Sequence, residues 1–320
     1  MKLSSKLLIF SVLGISAGGA GYMAFYPYTL TKGYDYYHRS NFAKAEKIFH
    51  KLADDGNAEA QTQLAFMYIE GKGHGRNPDL ALKWLRKAAD SGYAEAQYRL
   101  AGLYYHAVKK SPESKIFAGI VTMNTHARSR NIVEHSDSEA EKWYKKAALQ
   151  GHLDAQHSLG EVYEYGESGI KNIEDATVWY QRAAKQGSLK AITKLGTMYH
   201  DGYGIVQSEN YAQAMKLYRQ AAEQGYSNAQ VRLGAMLANG ENSAKDYAGA
   251  EMWFKKAANQ NDVAAMYDLG IINQIQGNHT EAMNWYQQAA ERGNIKAKNK
   301  LLIYKGGDVL AGDKAAFFTN

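Results

Sequence analysis

The amino-acid sequence predicts an all-α protein: a right-handed superhelical solenoid of antiparallel helix pairs with a period of about 36 residues. One column of large apolar residues recurs along the chain and holds all five tryptophans. Each tryptophan follows an Ala by three residues and precedes an Ala-Ala pair by four, and the steps along the column are 36, 59, 36, 38, 36 and 32 residues. The column consists of Ile48, Trp84, Trp143, Trp179, Leu217, Trp253 and Trp285.

Composition supports this fold class. The chain has 320 residues and only 3 prolines, which favours long stretches of helix. The length would suffice for two ordinary domains, but the repeats predict one elongated body over residues 30–305. The last residues, 306–320, are predicted to be a C-terminal tail.

Charge and cysteine content exclude several kinds of function. The net charge is +6, with no Lys/Arg run longer than two and no basic stripe interleaved with aromatic residues, so nucleic-acid binding is not expected. The chain has no cysteine, which excludes disulfides, zinc-thiolate sites, thiol catalysis and a lipoprotein cysteine. We expect neither a cofactor nor a metal site.

Residues 1–30 are predicted to be a membrane anchor or a signal segment. Lys2 and Lys6 precede a stretch without charge from Leu7 to Thr31, long enough to span a bilayer as a helix. Lysines before the span predict a cytoplasmic N-terminus, and tyrosines cluster at its exit. We therefore expect a single-pass protein of the bacterial inner membrane with its repeats in the periplasm. Cleavage near Gly18 and Ala20, giving a periplasmic or secreted protein, is the alternative.

The first helix of each repeat is marked by blocks such as AEAQTQLAFMY at residue 58. Its apolar residues fall at Ala60, Leu64, Met67 and Tyr68, which is the spacing of an amphipathic helix. A small residue follows each repeat leucine, and we expect it to let a neighbouring backbone approach closely. The small residues at this position are Ala65, Ala101, Gly160, Gly196, Gly234 and Gly270.

The tryptophan block is the second helix of the repeat. Its apolar stripe in the first full unit is Ala81, Trp84, Leu85, Ala88 and Ala89, so the tryptophan column is predicted to be core. Each of these helices is followed by a Gly or Asn, as a left-handed C-terminal cap requires. The capping positions are Gly56, Gly92, Gly151, Gly187, Gly225, Asn261 and Gly293.

These motifs resemble those of the Sel-one-like repeat family, relatives of the tetratricopeptide repeats. The likeness rests on A-x-A-Q-x-x-L-G-x-x-Y, then G-x-G, then A-x-x-W-Y-x-x-A-A-x-x-G. It covers residues 58–305 as six full units and a terminal half, and residues 31–57 resemble a degenerate first repeat. The resemblance implies an adaptor or scaffold in envelope signalling, polymer export or host-cell interaction, and it carries over no catalytic residue.

An insertion at residues 108–136 interrupts the third unit with about 23 extra residues. Long insertions in solenoids often lie on the binding face, which is one interpretation of this segment. A disordered loop is the other interpretation.

Candidate binding residues occupy helix positions that the repeat does not use for packing, at −2, −1, +2 and +5 from the repeat leucine. His157, Glu161 and Glu164 share one face by this spacing, and stacking is expected to bring His200 of the next unit near Glu164. This cluster could contact a polar peptide or a metal, or it could be a solvated face. We expect a concave, partner-binding face formed by Tyr98, Arg99, Tyr105, His157, Glu161, Glu164, Lys194, His200 and Arg232.

The sequence therefore predicts a non-enzymatic protein-protein interaction scaffold of the bacterial envelope, bound to another envelope protein. Two alternatives stay open: a secreted or surface-exposed host-interaction factor, and a hydrolase of cell-wall fragments. Retention of the N-terminal segment separates the first two hypotheses. Catalytic carboxylates converging in a pocket would favour the third.

Overall fold

The computed structural model describes residues 28–106, 135–166, 170–203 and 210–305. The described residues contain fifteen α-helices and no strand. Almost all of the N-terminal segment and of the insertion, and the whole C-terminal tail, lie outside these ranges, so the predictions made for them concern residues that the structure does not describe. Among the described helices, none is both long enough and apolar enough to cross a membrane.

The helices are numbered in chain order. Odd-numbered helices are the first helices of the repeats, and even-numbered helices are the second helices. They are α1 (Leu30–His38), α2 (Phe42–Asp54), α3 (Ala58–Glu70), α4 (Pro78–Asp90), α5 (Ala94–His106), α6 (Asp137–Leu149), α7 (Leu153–Tyr165), α8 (Ile173–Lys185), α9 (Leu189–Asp201), α10 (Tyr211–Glu223), α11 (Ser227–Asn239), α12 (Tyr247–Ala258), α13 (Val263–Ile275), α14 (His279–Glu291) and α15 (Ile295–Lys305).

The chain divides into two compact units. The first contains residues 1–155 and 166–170, and the second contains residues 156–165 and 171–320. Within each unit, every helix packs mainly against the helices before and after it in the chain, from α1 to α6 and from α8 to α15. This arrangement confirms the predicted all-α solenoid of helix pairs.

Four of the five tryptophans in the column belong to the core, as predicted. Trp84, Trp143, Trp179 and Trp253 are buried, whereas Trp285 is half-buried. A cation three residues further on covers several of these rings, for example Lys146, whose Nζ lies 4.1 Å from the centre of the Trp143 ring. The largest fully buried rings lie one residue after the column: Phe49, Tyr144, Tyr180, Tyr218, Phe254 and Tyr286.

The small residue after the repeat leucine makes room for one of these rings. A Cβ added at Gly160 would lie 2.6 Å from the Tyr180 ring, and one added at Gly270 would lie 2.4 Å from the Tyr286 ring. Such distances are shorter than any real contact between carbons, so glycine is required here for space. The expectation that a neighbouring backbone fills this space is wrong, because the ring of the following second helix fills it.

The Gln of the A-x-A-Q motif joins successive helices by hydrogen bonds. Gln97 Nε2 donates to the carbonyl of Ala89 at 3.0 Å, and Gln150 Nε2 donates to Gln97 Oε1 at 2.8 Å. The same chain of bonds recurs at Gln230 and Gln260. Because a buried amide must find partners, these bonds fix how one helix pair stacks on the next.

The predicted caps at the ends of the second helices have the required backbone geometry. Gly56, Gly92 and Gly293 have φ of 92°, 94° and 95°, and Asn261 has φ of 64°. This left-handed conformation is open to glycine and tolerated by asparagine.

Candidate functional site

A groove lies in the first unit, between the first helices α1, α3 and α5. Its cavity has a volume of about 690 Å³. Leu85 of α4 and Tyr144 of α6 also line it. The groove thus combines aromatic rings with charged side chains, mostly from consecutive first helices and the connections next to them. These side chains are Tyr34, Tyr37, Phe66, Tyr93, Tyr98, Tyr144, Glu59, Glu70, Glu95, Lys72 and Arg99.

Arg99 is held in a defined position in this groove. Its guanidinium carbon lies 5.2 Å from the centre of the Phe66 ring and 5.4 Å from that of Tyr98. Its Nε donates to Glu95 at 2.5 Å. The Tyr98 ring in turn stacks on His152, with the ring centres 4.8 Å apart. A stacked and hydrogen-bonded arginine loses little side-chain entropy when it meets a ligand.

Glu95 is the best-compensated carboxylate of the groove. His152 Nε2 lies 2.9 Å from one of its oxygens, and Arg99 binds the other. The hydrogen bond with His152, followed by the interactions with Arg99, outweighs burial and lowers the pKa of Glu95 to about 2. Glu95 is therefore ionised at any pH near neutrality.

Two other carboxylates of the groove bind tyrosines of α1. Tyr34 Oη donates to Glu59 at 3.0 Å, and Tyr37 Oη donates to Glu70 at 3.0 Å. Lys72 Nζ lies 2.7 Å from Glu70, so that this carboxylate also has a cation. Burial, and then the hydrogen bond to Glu59, raises the pKa of Tyr34, which keeps its phenol protonated as a donor.

Three predicted site residues belong to the first unit. Tyr98 and Arg99 line the groove. Tyr105 does not line it, and its ring instead packs beside Tyr144 and His106, with ring centres 6.4 and 5.1 Å away. The sequence analysis therefore identified two residues of this groove by their column positions.

The predicted site residues of the second unit form a different structure, centred on Glu164. Its side chain is 3% exposed and accepts hydrogen bonds from Tyr180 Oη and Tyr203 Oη, each at 2.6 Å. Lys194 Nζ lies 3.1 Å from the same carboxylate. Burial opposes ionisation, but hydrogen bonds from Tyr165, Tyr180 and Tyr203 and the charge of Lys194 hold the pKa of Glu164 below its ordinary value. Hydrogen bonds and an ion pair from the same chain thus compensate for the burial of this carboxylate.

His157 and Glu161 do not form the exposed face that the sequence predicts. His157 is 8% exposed, its ring centre lies 5.5 Å from that of Tyr180, and its Nδ1 lies 3.6 Å from Glu161. Burial raises the pKa of Glu161. The prediction that these columns carry no packing is therefore wrong. The −2 position is buried at Thr62, His157, Thr193 and Val231.

His200 and Arg232 have partners other than the expected ones. His200 Nε2 lies 2.8 Å from Glu241 and its Nδ1 lies 2.6 Å from Asp201. The hydrogen bond with Glu241, aided by Asp201, raises the pKa of His200 to about 9, so its imidazole is charged at neutral pH. The side chains of the next repeat that reach Glu164 are Lys194 and Tyr203, not His200 as expected. Arg232 is half-buried and donates to Asn228 at 3.3 Å.

Sequence reasoning missed most of the groove, although a signal was present. The residues predicted at positions −2, −1, +2 and +5 from the repeat leucine lie on α5 and later first helices, and none was predicted on α3. On α3 these positions hold Thr62, Gln63, Phe66 and Ile69, all of which line the groove. No group of three or more His, Asp or Glu side chains in the described ranges is placed to hold a metal ion.

Comparison with known proteins confirms the resemblance drawn from the motifs. Residues 58–93, 94–113, 126–152, 153–188, 189–226, 227–262 and 263–294 match the Sel1 repeat. A Sel1 repeat protein from Oxalobacter formigenes is 29% identical, with a TM-score of 0.66 over 82% of this chain and 100% of that one. A protective antigen of uropathogenic Escherichia coli is also 29% identical, with a TM-score of 0.65 over 90% of this chain. This chain spans 58% of the length of that antigen. No curated protein matches the sequence significantly.

Proposed function

The chain belongs to the Sel1 repeat family, and from this membership we propose that it is a non-enzymatic scaffold that binds another protein through the groove of its first unit. The groove carries the proposal. Its cavity of about 690 Å³ is preformed and concave, as binding sites usually are. Tyrosine and arginine are common anchors of protein interfaces, and both face the cavity here.

The geometry of Arg99 adds support for this role. A guanidinium that lies over the rings of Phe66 and Tyr98 and is bound by Glu95 presents a preorganised surface. Preorganisation lowers the entropy lost on association, which is where much binding energy is otherwise consumed.

The location that we propose is the bacterial envelope, with the N-terminal segment anchored in the inner membrane and the repeats in the periplasm. Its support is the uncharged stretch Leu7–Thr31 that follows Lys2 and Lys6. The partner would then be another envelope protein. Sequencing the N-terminus of the protein isolated from membranes tests this location: a chain beginning after Ala20 contradicts the anchor.

A secreted or surface-exposed host-interaction factor is the second candidate function. It is favoured by the likeness to a protective antigen of uropathogenic Escherichia coli. The same N-terminal sequencing separates the two candidates, since release from the membrane requires cleavage. A cleaved chain recovered outside the cell would favour this second function.

A photo-crosslinking residue placed in the groove tests partner binding directly. We expect the crosslinker at Gln63, which lines the cavity, to capture one discrete partner in intact cells. The matched control is Lys83, an exposed residue on the second helix α4. Adding Arg99→Ala should abolish the adduct at Gln63. Equal capture at Gln63 and Lys83, or no adduct at Gln63, would contradict binding through this groove.

A further inference from the structure

Two carboxylates of the groove occupy the same position in successive repeats. Glu59 and Glu95 are both the second residue of an A-E-A-Q block, 36 residues apart. Both act on the same pair of phenols. The pKa of Tyr93 is raised by burial and then by the charges of Glu59 and Glu95, and the pKa of Tyr34 is raised by burial and by Glu59. All four side chains line the groove, and Tyr34 Oη lies 3.0 Å from Glu59.

Glu59 differs from the other carboxylates in its lack of a cation. Glu70 has Lys72, and Glu95 has Arg99. The contact of Glu59 in the described part of the chain is the neutral phenol of Tyr34, and no ion pair there includes this carboxylate. A half-buried carboxylate with a single neutral donor keeps acceptor positions open.

The groove is negative although the chain as a whole is positive. Its lining has three carboxylates, namely Glu59, Glu70 and Glu95, and two cations, Lys72 and Arg99. The net charge of the chain is +6. The negative charge is thus local, and among the carboxylates of the groove it falls on Glu59, which has no cationic partner in the described ranges. Charge complementarity then favours a cationic ligand group.

Aromatic rings beside that carboxylate complete a receptor for such a group. A Lys ammonium or an Arg guanidinium gains a charge-assisted hydrogen bond from a carboxylate. The same cation is attracted to the face of a tyrosine ring within about 6 Å. Tyr34 of α1 and Tyr93, which directly precedes α5, both supply rings to the groove lining.

We propose that the groove binds an extended peptide segment of the partner protein, and that Glu59, which lines the groove together with Tyr34 and Tyr93, receives a Lys or Arg side chain of that segment. This inference rests on the proposed function. An acidic segment is disfavoured because Arg99 is already neutralised by Glu95 and because Glu59 would repel it. Repeated first helices line the groove, so a segment lying across them meets the same position of each repeat in turn.

Selection from a random-peptide library displayed on phage tests the inference. The bait is the full-length chain, immobilised in detergent. We expect the enriched peptides to contain Lys or Arg, and Glu59→Gln to weaken a selected peptide about tenfold or more, which corresponds to about one lost charge-assisted hydrogen bond. Replacing the basic residue of the peptide by Ala should give the same loss, with no further loss when both changes are combined. The matched control Glu174→Gln, an exposed carboxylate on the second helix α8 that does not line the groove, should change affinity less than about twofold.

The outcomes separate the inference from the function on which it rests. Enriched peptides without basic residues, or full affinity in Glu59→Gln, would overturn the inference and leave groove binding intact. An absence of any enriched peptide, together with no adduct at Gln63, would overturn the proposed function itself. Circular dichroism checks the fold of each variant. If Glu59→Gln fails to fold, the Ala-substituted peptide against the unaltered chain still decides the question.

Discussion

Glu59 in the first unit and Glu164 in the second are both carboxylates on first helices, but their surroundings differ. Glu164 is almost fully buried and is bound by Tyr180, Tyr203 and Lys194. Glu59 is half-buried, is bound by one phenol and faces a cavity. A polar residue on a first helix therefore has no fixed role in this repeat. Its role depends on whether the neighbouring repeat satisfies it.

The physical reason for this difference is the cost of burying a charge. A buried carboxylate is tolerated only when hydrogen bonds and an opposite charge compensate for lost hydration. Glu164 meets this condition within its own chain, so its network belongs to the fold. Glu59 keeps access to solvent and lacks a cation, so a ligand can supply the missing charge. Changes at the two sites should therefore separate effects on stability from effects on binding.

The largest expected effect comes from the ring that packs next to Glu164. We expect Tyr180→Ala to lower the free energy of unfolding by about 4–5 kcal/mol, because it empties a fully buried site and removes a donor to Glu164. Trp179→Ala should cost about 3 kcal/mol, since one face of that ring is covered by Arg182 rather than by core. Urea unfolding followed by circular dichroism measures both. A larger loss for Trp179→Ala would reverse our assignment of the core ring.

The same substitution at the two carboxylates tests the comparison most directly. Glu164→Gln should lower the free energy of unfolding by about 2–3 kcal/mol, because Lys194 loses its counter-ion in a largely enclosed site. Glu59→Gln should change it by less than about 0.5 kcal/mol. Thermal melts of the two variants at neutral pH provide the measurement. If the two variants were equally destabilised, Glu164 could not be distinguished from Glu59 as a carboxylate that the fold requires.

An intermediate effect is expected for His157 and Glu161 changed together to Ala. Their burial against Tyr180 predicts a loss of about 1–2 kcal/mol rather than the near-zero change of an exposed face. Denaturant titration of the double variant checks this value. Unaltered stability would mean that this helix face is solvated after all, and would make it available for a ligand.

A small effect on the stability of the first unit is expected when the pH is lowered. The pKa of Glu95 is lowered to about 2, so its contribution to stability is complete above the ordinary pKa of a glutamate and is lost as the pH falls toward 2. Because the side chain is 34% exposed, solvent screening limits this contribution to about 1 kcal/mol or less. Glu95→Gln should remove that part of the acid dependence when melting is measured between neutrality and low pH. An unchanged acid profile would show that Arg99 and His152 do not stabilise the folded carboxylate.

Much of the fold could be predicted from the sequence because packing in a repeat is local and recurs. The tryptophan column, the stripe from Ala60 to Tyr68 and the glycine caps are all set by contacts within a helix pair or with the next one. The family followed from the same motifs. Helix periodicity alone could not identify the ring that fills the space beside Gly160, because Trp179 and Tyr180 are adjacent and both apolar enough to be core.

The candidate site was predicted less well, and for a physical reason. Column positions identified Tyr98 and Arg99 of the groove but also Glu164, which the fold encloses. By itself the sequence determined the helices, their repeat and the family, since these depend on periodic burial and capping within about 36 residues. Only the tertiary structure decided which polar side chains face a cavity. Tyr34, Glu59 and Tyr93 come from separate helices and connections, and their mutual approach depends on how neighbouring repeats stack.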